Sequence, residues 1–147
     1  MKLALGADHG GVGLKDDLVR KLREAGHEVE DHGTHGTDSV DYPQFARAVA
    51  EAVRDGVAER GILVCGTGQG VNMTANKVPG VRAGVVADTF SARMIMEHND
   101  ARVLCLGARV VGAGLAWDIV QEYLAASFEG GRHARRVAQI APDEPAP

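Results

Sequence analysis

Short apolar stretches and helical stretches alternate five times along the 147 residues of this chain. The stretches that we interpret as strands are 2–6, 27–31, 61–65, 81–86 and 101–106. The segments interpreted as helices are 13–25, 44–54, 71–76, 89–97 and 110–126. Strands that are joined by helices lie parallel in one sheet, with helices covering its faces. The alternation therefore predicts a doubly wound α/β fold, a three-layer, Rossmann-like α/β/α sandwich around a five-stranded parallel sheet.

The length and the composition limit the kind of protein this can be. A chain of 147 residues, 45% of them hydrophobic, is the size of one domain with its own core. We expect a single domain over 1–140 and a flexible tail at 141–147, which holds three of the five prolines.

The net charge of −4 argues against nucleic acid as a partner. No stretch reaches the roughly 18 apolar residues of a membrane span, and the N-terminus lacks the apolar core of a signal peptide, so we expect a cytoplasmic protein.

In folds of this class, ligands bind beyond the carboxyl ends of the strands. Four loops follow predicted strands in this way, at 7–11, 33–42, 65–70 and 107–109. The third loop, CGTGQG, contains three glycines and opens a predicted helix, so its backbone N–H groups can converge on an anion. It matches neither the Walker A motif nor the dinucleotide fingerprint. A tight turn without a ligand remains the alternative.

Cys65 begins this loop and is a candidate base or nucleophile. The thiolate form is favoured near a helix N-terminus. The alternative is a buried core cysteine, which is how we interpret Cys105 in the middle of an apolar strand. We expect both thiols to be reduced in a cytoplasmic protein. A thiol redox protein is a poor interpretation, because Cys105 is predicted to be buried and no other cysteine can resolve a disulfide.

Two acid–imidazole motifs are further candidates. Asp8-His9 follows the first strand and is either a ligand-handling pair or a helix cap with a solvated imidazole. His98-Asn99-Asp100 is either a simple turn or the site of an acid, since the pKa of histidine lies near neutrality.

One basic cluster stands out in an otherwise acidic chain. Arg132, His133, Arg135 and Arg136 follow two glycines, and Arg109 is a further candidate. Guanidinium groups suit phosphate, although a solvated helix face is the alternative. The histidines of the second loop, at 32 and 35, match no metal-ligand spacing, so we predict no metal site.

Taken together and in order, these motifs resemble the type B ribose-5-phosphate isomerases and their sugar-phosphate isomerase relatives. The motifs are Asp8-His9, Asp41-Tyr42-Pro43, GILVCGTGQG at 61–70, Ala75-Asn76-Lys77, His98-Asn99-Asp100, GARVVG at 107–112 and EGGRH at 129–133. The resemblance covers about residues 2–140. It implies an aldose–ketose isomerase that works without a metal or a cofactor. The implied reaction interconverts D-ribose 5-phosphate and D-ribulose 5-phosphate in the non-oxidative pentose phosphate pathway.

The resemblance also implies residue roles. Cys65 resembles the base that moves a proton between C1 and C2 through an enediolate, while Val71 occupies the position at which part of the family has a glutamate. His98 resembles the acid that opens the furanose ring, Thr67 the hydroxyl that shuttles protons, and Asp8 a further catalytic group. The implied substrate-binding residues are Asp8, His9, Tyr42, Gly66, Thr67, Gly68, Gln69, Gly70, Asn99, Arg109, Arg132 and Arg136.

Several alternatives remain open at this point. The resemblance implies a homodimer or a dimer of dimers whose sites are shared, with the C-terminal helix reaching the partner subunit. Relatives act on allose 6-phosphate, galactose 6-phosphate or erythrulose 4-phosphate, and the residues of the pocket do not fix the length of the sugar. A non-catalytic module that binds phosphate or a nucleotide is the alternative outside catalysis, as is a non-catalytic subunit of a hetero-oligomeric isomerase.

Overall fold

The computed structural model describes residues 1–143 and confirms the alternation of strands and helices. The strands are β1 (Lys2–Ala7), β2 (Glu28–Asp31), β3 (Arg60–Cys65), β4 (Ala83–Val85) and β5 (Val103–Gly107). The helices are α1 (Val12–Glu24), α2 (Tyr42–Arg54), α3 (Gln69–Ala75), α4 (Thr89–Glu97), α5 (Ala113–Ala125) and α6 (Arg132–Val137). From 144 onward, the tail expected at 141–147 lies outside the described residues.

All five strands are parallel and lie in the order β2-β1-β3-β5-β4. Every residue of β3 and β5 is buried, as expected for central strands that are covered on both faces. On one face the strands pack against α1, α4 and α5, and on the other against α2 and α3. The predicted three-layer sandwich is therefore confirmed. Among residues 1–143, no helix has the length and apolar character needed to cross a membrane.

Helix boundaries differ from the sequence-based expectation at two loops. Helix α3 begins at Gln69, inside the expected loop, because Gly68 takes the left-handed conformation (φ 81°) and turns the chain directly into the helix. Helix α5 begins at Ala113 rather than at 110. The N–H groups of Val110 and Val111 both donate to the carbonyl oxygen of Gly107, and this turn occupies the start of the expected helix.

The interpretation of Cys105 as a core residue is confirmed. It is fully buried on the face of the sheet that α2 and α3 cover, and burial raises the pKa of its thiol far above the ordinary range. Cys65 lies on the same face, and both cysteines are free thiols.

A buried ion pair fixes the second loop to the sheet. The Lys15 side chain on α1 is fully buried, and its Nζ lies 2.9 and 2.7 Å from the two carboxylate oxygens of Asp31. Asp31 also accepts a hydrogen bond of 2.9 Å from the Gly33 N–H. Burial opposes ionisation of Asp31, but the hydrogen bonds from Lys15 and Gly33 outweigh it, so the pKa of Asp31 is lowered. The loop then returns to β1, where the Thr34 N–H donates to the Ala7 carbonyl oxygen at 2.6 Å.

Replacement of Lys15 by methionine is expected to lower the free energy of unfolding by about 3 kcal/mol, because it leaves the Asp31 carboxylate without its buried partner. Urea denaturation measures the loss. The ion pair stabilises the fold above the ordinary carboxyl pKa, and this contribution disappears as pH falls through the lowered pKa of Asp31. The difference between wild type and variant should therefore shrink on acidification.

Arg20→Met on the same helix is the matched control. Arg20 pairs with Asp17 and Glu24 on the exposed surface, where water screens an ion pair and it adds little to stability. Equal losses in the two variants would contradict a special role for the buried pair.

Candidate active site

Three of the four loops at the carboxyl edge of the sheet meet around Gly66. The Asp8 N–H donates to the Val64 carbonyl oxygen at 3.3 Å, which ties the first loop to the end of β3. A Cβ placed on Gly10 would lie 3.3 Å from the Gly66 nitrogen. From the other side, the Arg109 N–H donates to the Gly66 carbonyl oxygen at 3.0 Å. The structure therefore brings these loops together, as the position of ligand sites in α/β folds led us to expect.

Cys65 lies at the centre of this arrangement. The residue is 5% exposed, and its Sγ accepts a hydrogen bond of 3.1 Å from the Gly68 N–H. Two residues after Cys65, the Thr67 Oγ1 accepts a hydrogen bond of 3.3 Å from the Gln69 N–H. The loop thus places a thiol, a hydroxyl and backbone amides within the five residues 65–69.

The backbone at the end of β5 packs directly against this loop. A Cβ placed on Gly107 would lie 2.7 Å from the backbone carbon of Thr67, closer than real Cβ atoms come. Glycine at 107 is therefore required for the loop to pack down on the sheet.

Backbone N–H groups donate hydrogen bonds to the side chains of His9 and Asp8. The Val40 N–H donates to Nδ1 of His9 at 3.1 Å, so the proton of the neutral imidazole lies on Nε2. The carboxylate of Asp8 is nearly buried and accepts the Gly10 N–H at 2.9 Å. Gly11, rather than Asp8, occupies the N-cap position of α1. The helix-cap interpretation of Asp8 is therefore wrong.

Tyr42 forms a wall of the same site. It begins α2, and its ring lies so close to Gly70 that a Cβ on that glycine would be 2.6 Å from the Tyr42 Cζ. Asp41 occupies the expected N-cap position of α2, although its side chain makes no capping hydrogen bond within the described residues. The carboxyl edge thus brings together Asp8, His9, Tyr42, Cys65, Gly66, Thr67, Gly68, Gln69, Gly70 and Arg109, which we call the thiol half-site.

His98 and Asn99 lie at the other edge of the sheet. Helix α4 runs antiparallel to the strands it connects, so its C-terminal end lies at their amino ends. The Asn99 carbonyl oxygen accepts a hydrogen bond of 2.8 Å from Nε of Arg82, just before β4. Strands of five or six residues are about 16–20 Å long, which exceeds the length of a pentose phosphate. Within one chain, His98 is therefore not beside Asp8 or Cys65.

The C-terminal segment packs against His98. The rings of His98 and His133 stack with centroids 4.1 Å apart and planes 5° from parallel. The Glu129 N–H donates to the Glu97 carbonyl oxygen at 2.9 Å, and the Glu129 carboxylate lies 3.4 Å from Nε2 of His133. Burial, followed by the charges of His98 and Arg132, lowers the pKa of His133.

The arginines of α6 share this edge with the histidines. Nε of Arg132 lies 3.4 Å from Nε2 of His133, and Arg136 is near enough to act on the charge of His133. Gly130 and Gly131 both have positive φ angles, 66° and 53°, which explains the two glycines in front of the basic cluster. His98, Asn99, Arg132 and Arg136 form what we call the imidazole half-site.

The sequence motifs indicate no separate role for Glu129 or for Lys15. The signal for Glu129 is its spacing of four residues from His133, which places the two side chains side by side. The signal for Lys15 is a charged residue on the buried stripe of α1, between Val12 and Leu18.

Comparisons with known proteins agree with this architecture. The sequence model of the family described as Ribose/Galactose Isomerase matches residues 3–140. The chain is 48% identical over 139 residues to ribose-5-phosphate isomerase B of Escherichia coli, covering 95% of this chain and 93% of that protein. It is 42% identical over 141 residues to D-erythrulose-4-phosphate isomerase of Pectobacterium atrosepticum, covering 95% and 93% respectively. The structure of ribose-5-phosphate isomerase B from Clostridium thermocellum matches with a TM-score of 0.96 at 55% identity, covering 97% of this chain and 96% of that one.

These likenesses extend over nearly the whole chain and include both sequence and fold. They confirm the resemblance indicated by the order of the motifs and the expected class of enzyme. This chain belongs to the ribose/galactose isomerase family and is a sugar-phosphate isomerase.

Proposed function

We propose that the protein interconverts D-ribose 5-phosphate and D-ribulose 5-phosphate, with the Cys65 thiolate as the base. The observation that carries this proposal is the position of the Cys65 Sγ, inside a glycine loop at the carboxyl edge and hydrogen-bonded to the Gly68 N–H. The likeness to ribose-5-phosphate isomerase B of Escherichia coli supports the pentose. The likeness to an erythrulose-4-phosphate isomerase makes a four-carbon sugar the second candidate.

The chemistry requires a base and a site for negative charge. The thiolate takes a proton from C2 of the open-chain aldose, and the electron pair moves onto the carbonyl oxygen to give an enediolate. The thiol then returns the proton to C1, while the Thr67 hydroxyl moves a proton between the two sugar oxygens. Backbone N–H groups of the loop stabilise the enediolate, and one such donor contributes about 3–4 kcal/mol. A positioned base contributes about 10²–10⁴-fold in rate.

Ring opening is assigned to a second copy of the chain. His98 protonates the ring oxygen as its bond to C1 breaks, and the Asp8 carboxylate takes the proton of the C1 hydroxyl to leave the aldehyde. His98, however, lies at the edge of the sheet opposite Cys65. A complete site therefore combines the thiol half-site of one subunit with the imidazole half-site of its partner. Asn99 then binds a sugar oxygen, and the C-terminal helix reaches the site of the partner subunit.

The phosphate is held by cationic and neutral donors from both halves. His9 presents its Nε2–H, because its Nδ1 accepts the Val40 N–H. The Arg109 side chain runs along the loop, with its Cδ 3.6 Å from the position of a Cβ on Gly66. Arg132 and Arg136 of the partner subunit complete the clamp, since guanidinium groups bind phosphate oxygens in pairs. This binding energy, remote from C1 and C2, holds the reacting carbons at the base.

The direct test is turnover of ribose 5-phosphate in the presence of a chelator, with ketose formation as the readout. Erythrose 4-phosphate and allose 6-phosphate are measured alongside at the same concentrations. We expect the highest kcat/KM with ribose 5-phosphate. A higher value with another aldose phosphate would reassign the substrate, and binding without turnover of any of them would favour the non-catalytic module.

Replacement of Gly107 by alanine is expected to lower kcat about 100-fold, the effect of moving a reacting group by roughly 1 Å. The new Cβ would clash with the Thr67 backbone and displace the loop from the sheet. Gly112→Ala is the matched control in the same connection, since a Cβ there meets no atom within 4 Å among the described residues. Steady-state kinetics with circular dichroism distinguish the two variants. Equal kcat values would mean that the position of the loop is not critical.

A further inference from the structure

Three potential metal ligands lie together, and only one of them, His98, belongs to the imidazole half-site. One ligand atom from each of His98, Glu129 and His133 can be chosen so that all lie within 4.8 Å of one another. His133 is buried, His98 is half-buried and Glu129 is exposed, so the cluster opens to solvent through its carboxylate. Two imidazoles and one carboxylate are a donor set that Zn²⁺ takes in proteins.

We propose that His98, Glu129 and His133 form an inhibitory site for a divalent transition-metal ion, and that Zn²⁺ is the ion best suited to this set of ligands. The inhibitory part of this inference rests on the proposed role of His98 in ring opening. An imidazole nitrogen that is bonded to zinc has no proton to donate to the ring oxygen. The ion would therefore stop the isomerase without touching Cys65.

The geometry requires only a small adjustment. Zinc–ligand bonds of about 2.0–2.2 Å allow at most roughly 4.4 Å between two ligand atoms on one ion. The pair His133 Nε2 and Glu129 Oε2, at 3.4 Å, already meets this limit. The nitrogen lone pairs of an imidazole lie in the plane of its ring, and the two ring planes are nearly parallel. One imidazole therefore has to turn about its χ2 before both rings can direct a nitrogen at the same ion. A Cβ placed on Gly130 or Gly131, which follow Glu129, would meet no atom within 4 Å among the described residues.

The positive charge of Arg132 lies next to the proposed metal ligands. Arg132, at 3.4 Å from Nε2 of His133, must move away when the ion arrives. Since Arg132 also belongs to the phosphate clamp, zinc and the sugar phosphate should compete for the site. Inhibition is therefore expected to be competitive with substrate.

The test uses the full chain, freed of metal, in two parallel measurements. Calorimetric titration with ZnCl₂ gives the dissociation constant, and isomerase assays at several zinc concentrations give the inhibition. Glu129→Gln should weaken zinc binding and inhibition about 100-fold, while leaving activity without zinc unchanged. Glu122→Gln, an exposed carboxylate on α5, is the matched control and should change neither.

The same titration on Cys65→Ser protein separates this site from the thiol half-site. We expect the variant to bind zinc as tightly as wild type. The proposal is overturned if the wild type does not bind zinc, if Glu129→Gln binds it equally well, or if binding requires Cys65. Zinc bound at the three residues without inhibition would overturn the inhibitory role. Absence of isomerase activity in metal-free wild type would count against the proposed function instead, because the calorimetry needs no turnover.

Discussion

Replacement of Cys65 by serine is expected to lower kcat for ribose 5-phosphate by about 10⁴-fold, the upper end of what a positioned base contributes. Serine is nearly the same size, and its oxygen can still accept the Gly68 N–H that Sγ accepts at 3.1 Å. The fold and the shape of the loop should therefore be retained. The hydroxyl, however, does not ionise near neutral pH and cannot act as the base.

The same substitution at Cys105 is the matched control. Cys105 lies on the same face of the sheet but is fully buried, and burial raises the pKa of its thiol. Cys105→Ser should lower the free energy of unfolding by about 1–3 kcal/mol, because it buries a hydroxyl in an apolar strand, and should leave kcat nearly unchanged. Steady-state kinetics and urea denaturation of both variants give the comparison. A Cys65→Ser protein with kcat within tenfold of wild type would mean that another group is the base.

Substrate protection provides an independent check on the thiol. Iodoacetamide should modify Cys65 and stop turnover, and ribose 5-phosphate should slow that reaction. Cys105 should remain unmodified in the folded protein, since thiols react as thiolates and its buried thiol does not ionise. A non-catalytic phosphate-binding module would keep its ligand affinity after alkylation.

The sheet and the thiol half-site could be predicted because both follow from short stretches of sequence. A continuous apolar run such as 61–65 predicts a central strand of a parallel sheet. The loops at their carboxyl ends must lie at one edge, which places Asp8, Cys65 and Arg109 together. The close contact between Gly107 and the Thr67 backbone could not be predicted from sequence spacing, because it depends on β3 and β5 being neighbours in the sheet.

The imidazole half-site was harder to predict. His98 and His133 stack although α5 separates them in the chain, and no local pattern records that contact. The motif resemblance grouped His98 with Asp8 and Cys65, whereas the order of elements places it at the other edge. A motif reports which residues serve one reaction and carries no information about which subunit supplies them.

Two inactive variants with changes in different half-sites should restore activity when their subunits are mixed. In a site shared between subunits, a heterodimer of Cys65→Ser and His98→Asn chains has one site with both changes and one site with neither. Random reassociation makes about half of the dimers hetero, so about a quarter of wild-type activity is expected. Each variant alone should retain only residual turnover. The measurement is kcat per subunit after the two proteins are unfolded and refolded together in equal amounts.

Pairs of variants within one half-site provide the control that separates a shared site from simple mixing. Cys65→Ser with Gly107→Ala changes only the thiol half-site, and His98→Asn with Arg132→Gln changes only the imidazole half-site. In each heterodimer every site then carries one of the two changes, so mixing should recover no activity. If the Cys65→Ser and His98→Asn pair also recovers none, while refolded wild type regains full activity, the two half-sites do not combine across subunits. The distance of about 16–20 Å between the edges would then require a different acid for ring opening, drawn from the thiol half-site itself.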